Sequence, residues 1–284
     1  MSKLFKIPII LEANATVFME SHSRSIKLGF LIAWFEKIIF KHADYIITIS
    51  SHLQRTISEH HDLSIGKIIV MSNAIDPERF VDVSGETQTG IIQRLQIRQK
   101  RIVGFVGAFV EWHGISFMLD ALYSLLESED IHILIVGDGP IRNEIETQVD
   151  QLNIRNNVTI TGFVDARKVP EYISIMDICT MPNSNAHGSP VKIFEYMAMG
   201  KPVVAPKYGP IMEVLTHGED SLIFNPLDRD DFADKIIELI SDSKLRQQLG
   251  KRARETVFKK HTWDNHAVEI SQLYHSARQH YDSK

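Results

Sequence analysis

Residues 102–140 read IVGFVGAFVEWHGISFMLDALYSLLESEDIHILIVGDGP, and their order decides the fold. Residues 102–109 are a short apolar run closed by a glycine-containing turn, the pattern of a strand buried on both faces. Residues 116–126 place Met118, Leu122, Leu125 and Leu126 at i, i+4, i+7 and i+8, which is one face of a helix. Residues 131–136 form a second unbroken apolar run, stopped by Gly137-Asp138-Gly139-Pro140. Strand, helix and strand in that order make a βαβ unit, which implies parallel pairing and a right-handed crossover.

The alternation continues downstream. Strands are expected at 158–161, 178–181, 202–205 and 222–224. Helices are expected at 141–152, 169–175, 190–199, 230–240 and 244–258. Gly200 suits a helix C-cap. The fold class is therefore α/β, with a doubly wound parallel sheet from about residue 100 to 258. Ligands in such sheets bind beyond the carboxyl ends of the strands, at the point where the winding reverses. Gly107, Gly137, Gly139, Gly162 and Gly188 fall in loops at that end.

Upstream, residues 1–80 read as a shorter α/β piece, with strands at 8–11, 45–50 and 68–71 and helices at 25–41 and 52–59. Residues 81–100 lack periodicity and suit a linker. This divides the chain into 1–80, a linker 81–100, a main domain 101–260 and a C-terminal segment 261–284.

The totals bound the function. The chain has 284 residues and is 44% hydrophobic, enough for more than one core. Net charge is −5 and no run of Lys and Arg stands out, so a nucleic-acid surface is not indicated. The single cysteine, Cys179, lies in an apolar run; it can form neither an internal disulfide nor a Cys-based metal site. A reducing, cytoplasmic compartment is expected. No apolar stretch reaches the roughly 20 residues that span a bilayer. The helix at 25–41 is apolar nearly all round, with Arg24, Lys27, Lys37 and Lys41 at its margins. That pattern fits a buried helix, and it also fits a peripheral contact with a membrane carrying a lipid-linked acceptor.

Chemistry concentrates in 187–206, HGSPVKIFEYMAMGKPVVAP. Ser189 and Pro190 suit the N-cap and N1 positions of a helix. The first amides of that helix lack intrahelical partners and carry the positive end of the dipole, so a diphosphate could sit there. Lys192 and Glu195 share a face near that end. Val191, Phe194, Met197 and Ala198 would form the opposite, buried stripe. Spacing alone also fits an ordinary exposed i, i+3 ion pair.

This segment and its surroundings resemble the retaining GT-B glycosyltransferases of family 4, the glycosyl transferases group 1. The motifs are FVGAFVEWHGISFMLDAL (105–122), IVGDGPIRNEIE (135–146), ITGFVDARKVPEYISIMDI (160–178), SPVKIFEYMAMGKPVVAP (189–206) and GPIMEVLTHGEDSLIFNP (209–226). ADYIITISSHLQRTI (43–57) and VMSNAIDPERF (70–80) resemble the end of the family's first domain. The resemblance implies a GT-B architecture, with the doubly wound domain binding the donor and an incomplete Rossmann-like domain before it.

The resemblance also implies roles. Glu195 matches the second Glu of the family's spaced pair, which binds the ribose hydroxyls of the donor nucleotide. The first Glu, which contacts the transferred sugar, falls at His187. The family's diphosphate-holding Arg and Lys fall at Ala108 and His113. His113 could serve when protonated or as a neutral donor. Ala108 carries no charge, which shifts the load to Gly188, Ser189, Pro190 and Val191 at the helix start and to Lys192. Phe163 and Val164 match the loop against the nucleotide base.

The N-terminal side departs from the family. PIILEANA (8–15) resembles the strand that often ends in a histidine near the transfer site, and here that position is Asn14. Asn binds a hydroxyl but does not shuttle protons near neutral pH. The family has further strands and a Gly-rich loop before this point, so a fragment or a shortened variant is expected. A protein partner that completes the first domain is one consequence. In 261–280 the family's last helix crosses back to the first domain, making Trp263, Val268, Ile270, Leu273 and Tyr274 packing residues.

The expected function is transfer of a sugar from a nucleoside-diphosphate sugar to a glycan or lipid-linked acceptor, with retention. No cofactor and no metal are expected. Asn14 and His187 are the candidates nearest the transferred sugar. The alternative is a catalytically impaired transferase that keeps nucleotide-sugar binding and acts as a subunit. An epimerase or phosphorylase shares the architecture.

Overall fold

The computed structural model describes residues 7–16, 29–97, 101–128, 131–184 and 189–282. These divide into two compact units. One holds the described residues up to Asn73, with Ser189 and everything from Trp263 on; the other holds Ala74–Ser184 and Pro190–Thr262.

The first unit has strands β1 (Ile10–Ala13), β2 (Tyr45–Thr48) and β3 (Ile68–Val70), with helices α1 (Gly29–His42) and α2 (Ser51–His61) between them. The strands are parallel, in the order β1-β2-β3, with Ile10 beside Tyr45 and Ile46 beside Ile68. Ser50 caps α2, its hydroxyl accepting from the Leu53 amide at 3.3 Å. Phe40, Ile46, Leu53, Ile57 and Ile68 form the core. The other side of α1 leaves Leu31, Trp34, Phe35 and Ile39 exposed.

The first α-helix of the second unit is α3 (Gly85–Arg94), inside the segment expected to be a linker. Ser84 caps this helix through the Thr87 amide, and Ile91 is buried in the unit's core. Two glycines and two threonines give the helix weak intrinsic propensity. Packing by Ile91 supplies what the local sequence lacks.

From there strands and helices alternate: β4 (Arg101–Val106), α4 (Ile115–Ser128), β5 (Ile131–Val136), α5 (Arg142–Gln151), β6 (Val158–Ile160), α6 (Val169–Ser174), β7 (Ile178–Thr180), α7 (Val191–Ala198), β8 (Val203–Pro206), α8 (Gly209–Met212), β9 (Ser221–Phe224), α9 (Arg229–Ser241) and α10 (Ser243–Lys260). All pairings are parallel, and the strand order is β6-β5-β4-β7-β8-β9.

Alternate residues of each strand enter opposite cores. Ile102, Leu134, Cys179, Val203 and Ile223 face one side. Val103, Ile133, Ile178, Val204 and Leu222 face the other. Both sheet faces are therefore covered, as the unbroken apolar runs require. The order reverses between β4 and β7, which makes the carboxyl ends of those two strands the switch point.

The C-terminal helix α11 (Trp263–Asp282) groups with the first unit. Its expected packing residues are largely on the outside: Trp263, Val268, Ile270 and Tyr274 are exposed. The inward side runs through the buried His266 and Ala277, with Leu273 half-buried between them, at i, i+11 and i+7. The Tyr45 hydroxyl meets Ser276 at 3.2 Å, so a small residue and polar contacts seat this helix. Among the described residues no helix is long and apolar enough to cross a membrane.

Candidate functional site

β4 and β7 pair only through Val103–Ile178 and Gly104–Cys179, so the last two residues of β4 run free of β7. Helix α7 enters there. The Val106 amide donates to the Tyr196 hydroxyl at 2.7 Å, in place of a strand partner. The next residue, Gly107, has φ 147°, and a Cβ there would lie 2.8 Å from the Lys192 Nζ. Gly137, at the end of β5, has φ 139°, and its Cβ would strike the Gly107 carbonyl at 2.0 Å. Only glycine fits either position, and at Gly107 the space a side chain would need is taken by the end of Lys192.

Lys192 is buried, not part of an exposed pair. Its Nζ lies 4.1 Å from the centre of the Phe105 ring and has no hydrogen-bond partner. Burial pulls its pKa down to about 7, against a smaller upward pull from Glu195. The Glu195 carboxyl is pushed up by burial and drawn back, first by Arg79 and then by Lys192. Two opposite charges one turn apart thus sit at the switch point without hydrogen bonds between them. Such groups are rare in finished cores and mark ligand sites.

The start of α7 differs from the expected one. Pro190 is the N-cap, with no side-chain cap, and Val191 is the first helical residue. The Ser189 hydroxyl accepts from the Asn73 amide at 3.1 Å, so it does not cap the helix. Val191 was expected in the buried stripe and is 50% exposed. The stripe belongs instead to Ile193, Phe194, Tyr196, Met197 and Ala198, a rotation that carries Lys192 inward. His187 and Gly188 lie outside the described residues.

His113 closes a short 3-10 turn after β4, followed by Gly114 with φ 71°. Its Nδ1 lies 2.6 Å from the Ala108 carbonyl. Burial, reinforced by the nearby Lys192 charge, lowers its pKa to about 4. The expected role as a neutral donor to phosphate meets an obstacle, because the neutral ring's one N–H is already given to Ala108.

Phe163 is 83% exposed and stands in the loop after β6, while Val164 packs against the core. That loop is held at both ends. Gly137 bridges Gly162, and the Asp138 carboxylate receives the amides of Gly139 and Phe163. Arg142 meets Asp138 at 2.9 Å and Glu146 at 2.8 Å. On the far side, Arg79 donates to the Ala166 carbonyl at 3.0 Å.

The second unit thus brings His113, Phe163, Val164, Lys192 and Glu195 to the carboxyl end of one sheet. Asn14 lies in the first unit, exposed, with its amide donating to Glu12 at 3.3 Å. Sequence reasoning passed over Arg79 and Tyr196, and gave Gly107 only as one of several loop glycines at this end of the sheet. Their roles depend on tertiary contacts, and only the glycine turn after β4 signalled any of them. Among the described residues no group of three or more His, Cys, Asp or Glu is placed to hold a metal ion.

A doubly wound unit with a buried, unpartnered charge at its switch point belongs to a class of folds that bind their ligands at that point. The sequence matches the family of glycosyl transferases group 1 over residues 88–256, and the chain belongs to that family. It is 26% identical over 231 residues to an uncharacterized glycosyltransferase of Methanocaldococcus jannaschii, covering 81% of this chain and 59% of that one. It is 21% identical over 279 residues to the alpha-D-kanosaminyltransferase of Streptomyces kanamyceticus, covering 96% and 72%. The chain thus spans about three fifths to three quarters of these relatives' lengths. The fold is also that of Anabaena HepE, solved in complex with UDP and glucose, at a TM-score of 0.79 and 21% identity over 95% of this chain and 73% of that one. The architecture is of the GT-B type.

Proposed function

We propose that this chain is a retaining, family 4 type glycosyltransferase that takes its sugar from a nucleoside-diphosphate donor and passes it to a glycan or lipid-linked acceptor. The observation that carries the reading is the buried Lys192 ammonium, unpartnered beside the Gly107 turn. A diphosphate would supply the missing partner, and the ammonium would stabilise charge on the departing diphosphate. Glu195 accepts from the ribose hydroxyls, and Phe163 offers its exposed ring to the base. Asn14 and His187 are assigned to sugar or acceptor hydroxyls.

In the reaction, the bond from the anomeric carbon to the diphosphate oxygen breaks. A bond to the acceptor oxygen forms on the same face, and the hydroxyl proton passes to the departing diphosphate. HepE, solved with UDP and glucose, makes a uridine donor the first to try.

The test is calorimetric titration with UDP, GDP and ADP, followed by transfer assays with the matching sugars and NMR of the product anomer. The expected result is saturable binding of one diphosphate and a product of unchanged anomeric configuration. Binding without turnover on any donor would leave a binding subunit and sink the enzyme. Absence of binding would sink the donor site itself.

A further inference from the structure

The His113 ring has a fixed hydrogen-bonding sense. A carbonyl oxygen only accepts, so the 2.6 Å contact to Ala108 puts the proton on Nδ1. In the neutral ring, Nε2 then carries the lone pair and can only accept. Nε2 has no protein partner among the described residues. Burial and the neighbouring Lys192 charge both oppose a second proton. The Phe105 ring lies against both groups, 4.1 Å from the Lys192 Nζ and 5.8 Å from the His113 ring centre.

The two neighbours therefore offer opposite chemistry. A protonated Lys192 can donate three hydrogen bonds and carries the charge a diphosphate needs. His113 presents a lone pair, which repels the phosphoryl oxygens of the same ligand. A hydroxyl hydrogen is the group that satisfies it. We infer that His113 Nε2 accepts a hydrogen bond from a hydroxyl of the sugar carried on the diphosphate, which makes His113 a selector of the sugar and not a holder of phosphate. This rests on the donor reading given above and assigns one residue of that site a different duty.

The test is nitrogen-15 NMR of histidine-labelled full-length protein, with His113→Gln used to assign the His113 signals. The first measurement adds the diphosphate that binds best among UDP, GDP and ADP. The second adds the matching nucleotide sugar. His113 is expected to stay neutral and Nδ1-protonated with the diphosphate alone. With the nucleotide sugar, Nε2 is expected to show the shift of a lone pair that has gained a donor.

His113→Phe should weaken the nucleotide sugar about tenfold and leave the diphosphate within about twofold. Conversion of His113 to imidazolium by the diphosphate would overturn the inference. So would equal losses of both ligands in His113→Phe. These outcomes leave the donor site standing, whereas failure of every diphosphate to bind the wild-type chain removes the donor site and this role together.

Discussion

The two ends of the β4–β7 pair are built on opposite principles. At the amino end the charges around Asp177 are bonded. The Asp177 carboxylate accepts from the Ile102 amide at 2.9 Å and pairs with Arg101 at 3.2 Å. Lys201 donates to the Ser174 carbonyl at 2.7 Å, and Arg246 donates to the carbonyls of Leu239 and Ile240. At the carboxyl end Lys192 is buried, yet its ammonium has no hydrogen-bond partner, and burial pushes up the carboxyl of the half-buried Glu195 beside it. Two lysines nine residues apart, Lys201 half-buried and Lys192 buried, thus differ in that the first is bonded and the second is not. The satisfied end holds the fold together. The unsatisfied end tolerates a loss of stability that a ligand can recover.

The largest effect follows from exchanging the two lysines for methionine, which keeps the apolar stem and removes the charge. Lys192→Met should weaken diphosphate binding by about 100-fold or more, the loss of a buried charge-assisted contact. The same change should stabilise the free protein, raising its thermal midpoint by roughly 2–4 °C for each kcal/mol recovered. Lys201→Met should do the reverse. It leaves the buried Ser174 carbonyl unpaired, costing about 1–3 kcal/mol of stability, while calorimetry finds the diphosphate affinity nearly unchanged. If both variants lose stability alike, the contrast between the two ends is only apparent.

A change of pH sharpens the same contrast without mutation. In the free protein the Lys192 pKa is about 7, below its ordinary value because of burial. Between that pH and the ordinary lysine range the unfolded chain binds a proton that the folded chain does not. The stability of the free protein from this group therefore rises with pH through the window. Diphosphate binding needs the ammonium, so above pH 7 it takes up a proton. Affinity should then fall by about tenfold per pH unit until the lysine of the complex also titrates. Opposite signs for stability and affinity in one window are the signature. Lys192→Arg, whose guanidinium stays charged, should flatten the affinity profile. A wild-type affinity that is level from pH 7 to 8.5 would count against Lys192 as the diphosphate's partner.

These two ends were not equally legible in the sequence. The strands of the second unit were legible because residues buried on both faces leave unbroken apolar runs, as in 131–136. Helix α3 was not, because its glycines and threonines disguise it and its one buried contact, Ile91, is a matter of tertiary packing. Within the site, Lys192 and Glu195 could be named from spacing and resemblance. That α7 turns Lys192 inward and Val191 outward depends on the Tyr196 bond to the end of β4 and on the space left by Gly107, neither of which is local. His113 shows the limit most directly. Its residue type suggested a donor, and a single carbonyl, that of Ala108, makes it an acceptor.

A smaller effect tests the outer edge of the carboxyl end. Phe163 exposes 83% of its surface, so Phe163→Ala should leave the thermal midpoint unchanged within about 1 °C, since the ring buries little on folding. If the ring lies against the base, diphosphate affinity should drop about tenfold, the usual size of a base–aromatic contact. Equal affinity in the variant would return the ring to plain surface.

The smallest effect belongs to Arg79, which does two things at once. Its guanidinium restrains the upward push that burial gives the Glu195 carboxyl, and it ties down Ala166 in the loop that bears Phe163. Arg79→Met should let the Glu195 carboxyl rise. As pH falls, Glu195 would then protonate earlier and lose its strength as an acceptor from ribose hydroxyls. The loss of affinity, about threefold at most, should be larger at pH 5.5 than at pH 8, because without Arg79 the upward push of burial on the carboxyl is less opposed. A loss of the same size at both pH values would mean that Arg79 acts only by holding the loop. Combining Arg79→Met with Phe163→Ala separates the two, because the loop contribution disappears once the ring is gone and the pH-dependent part remains.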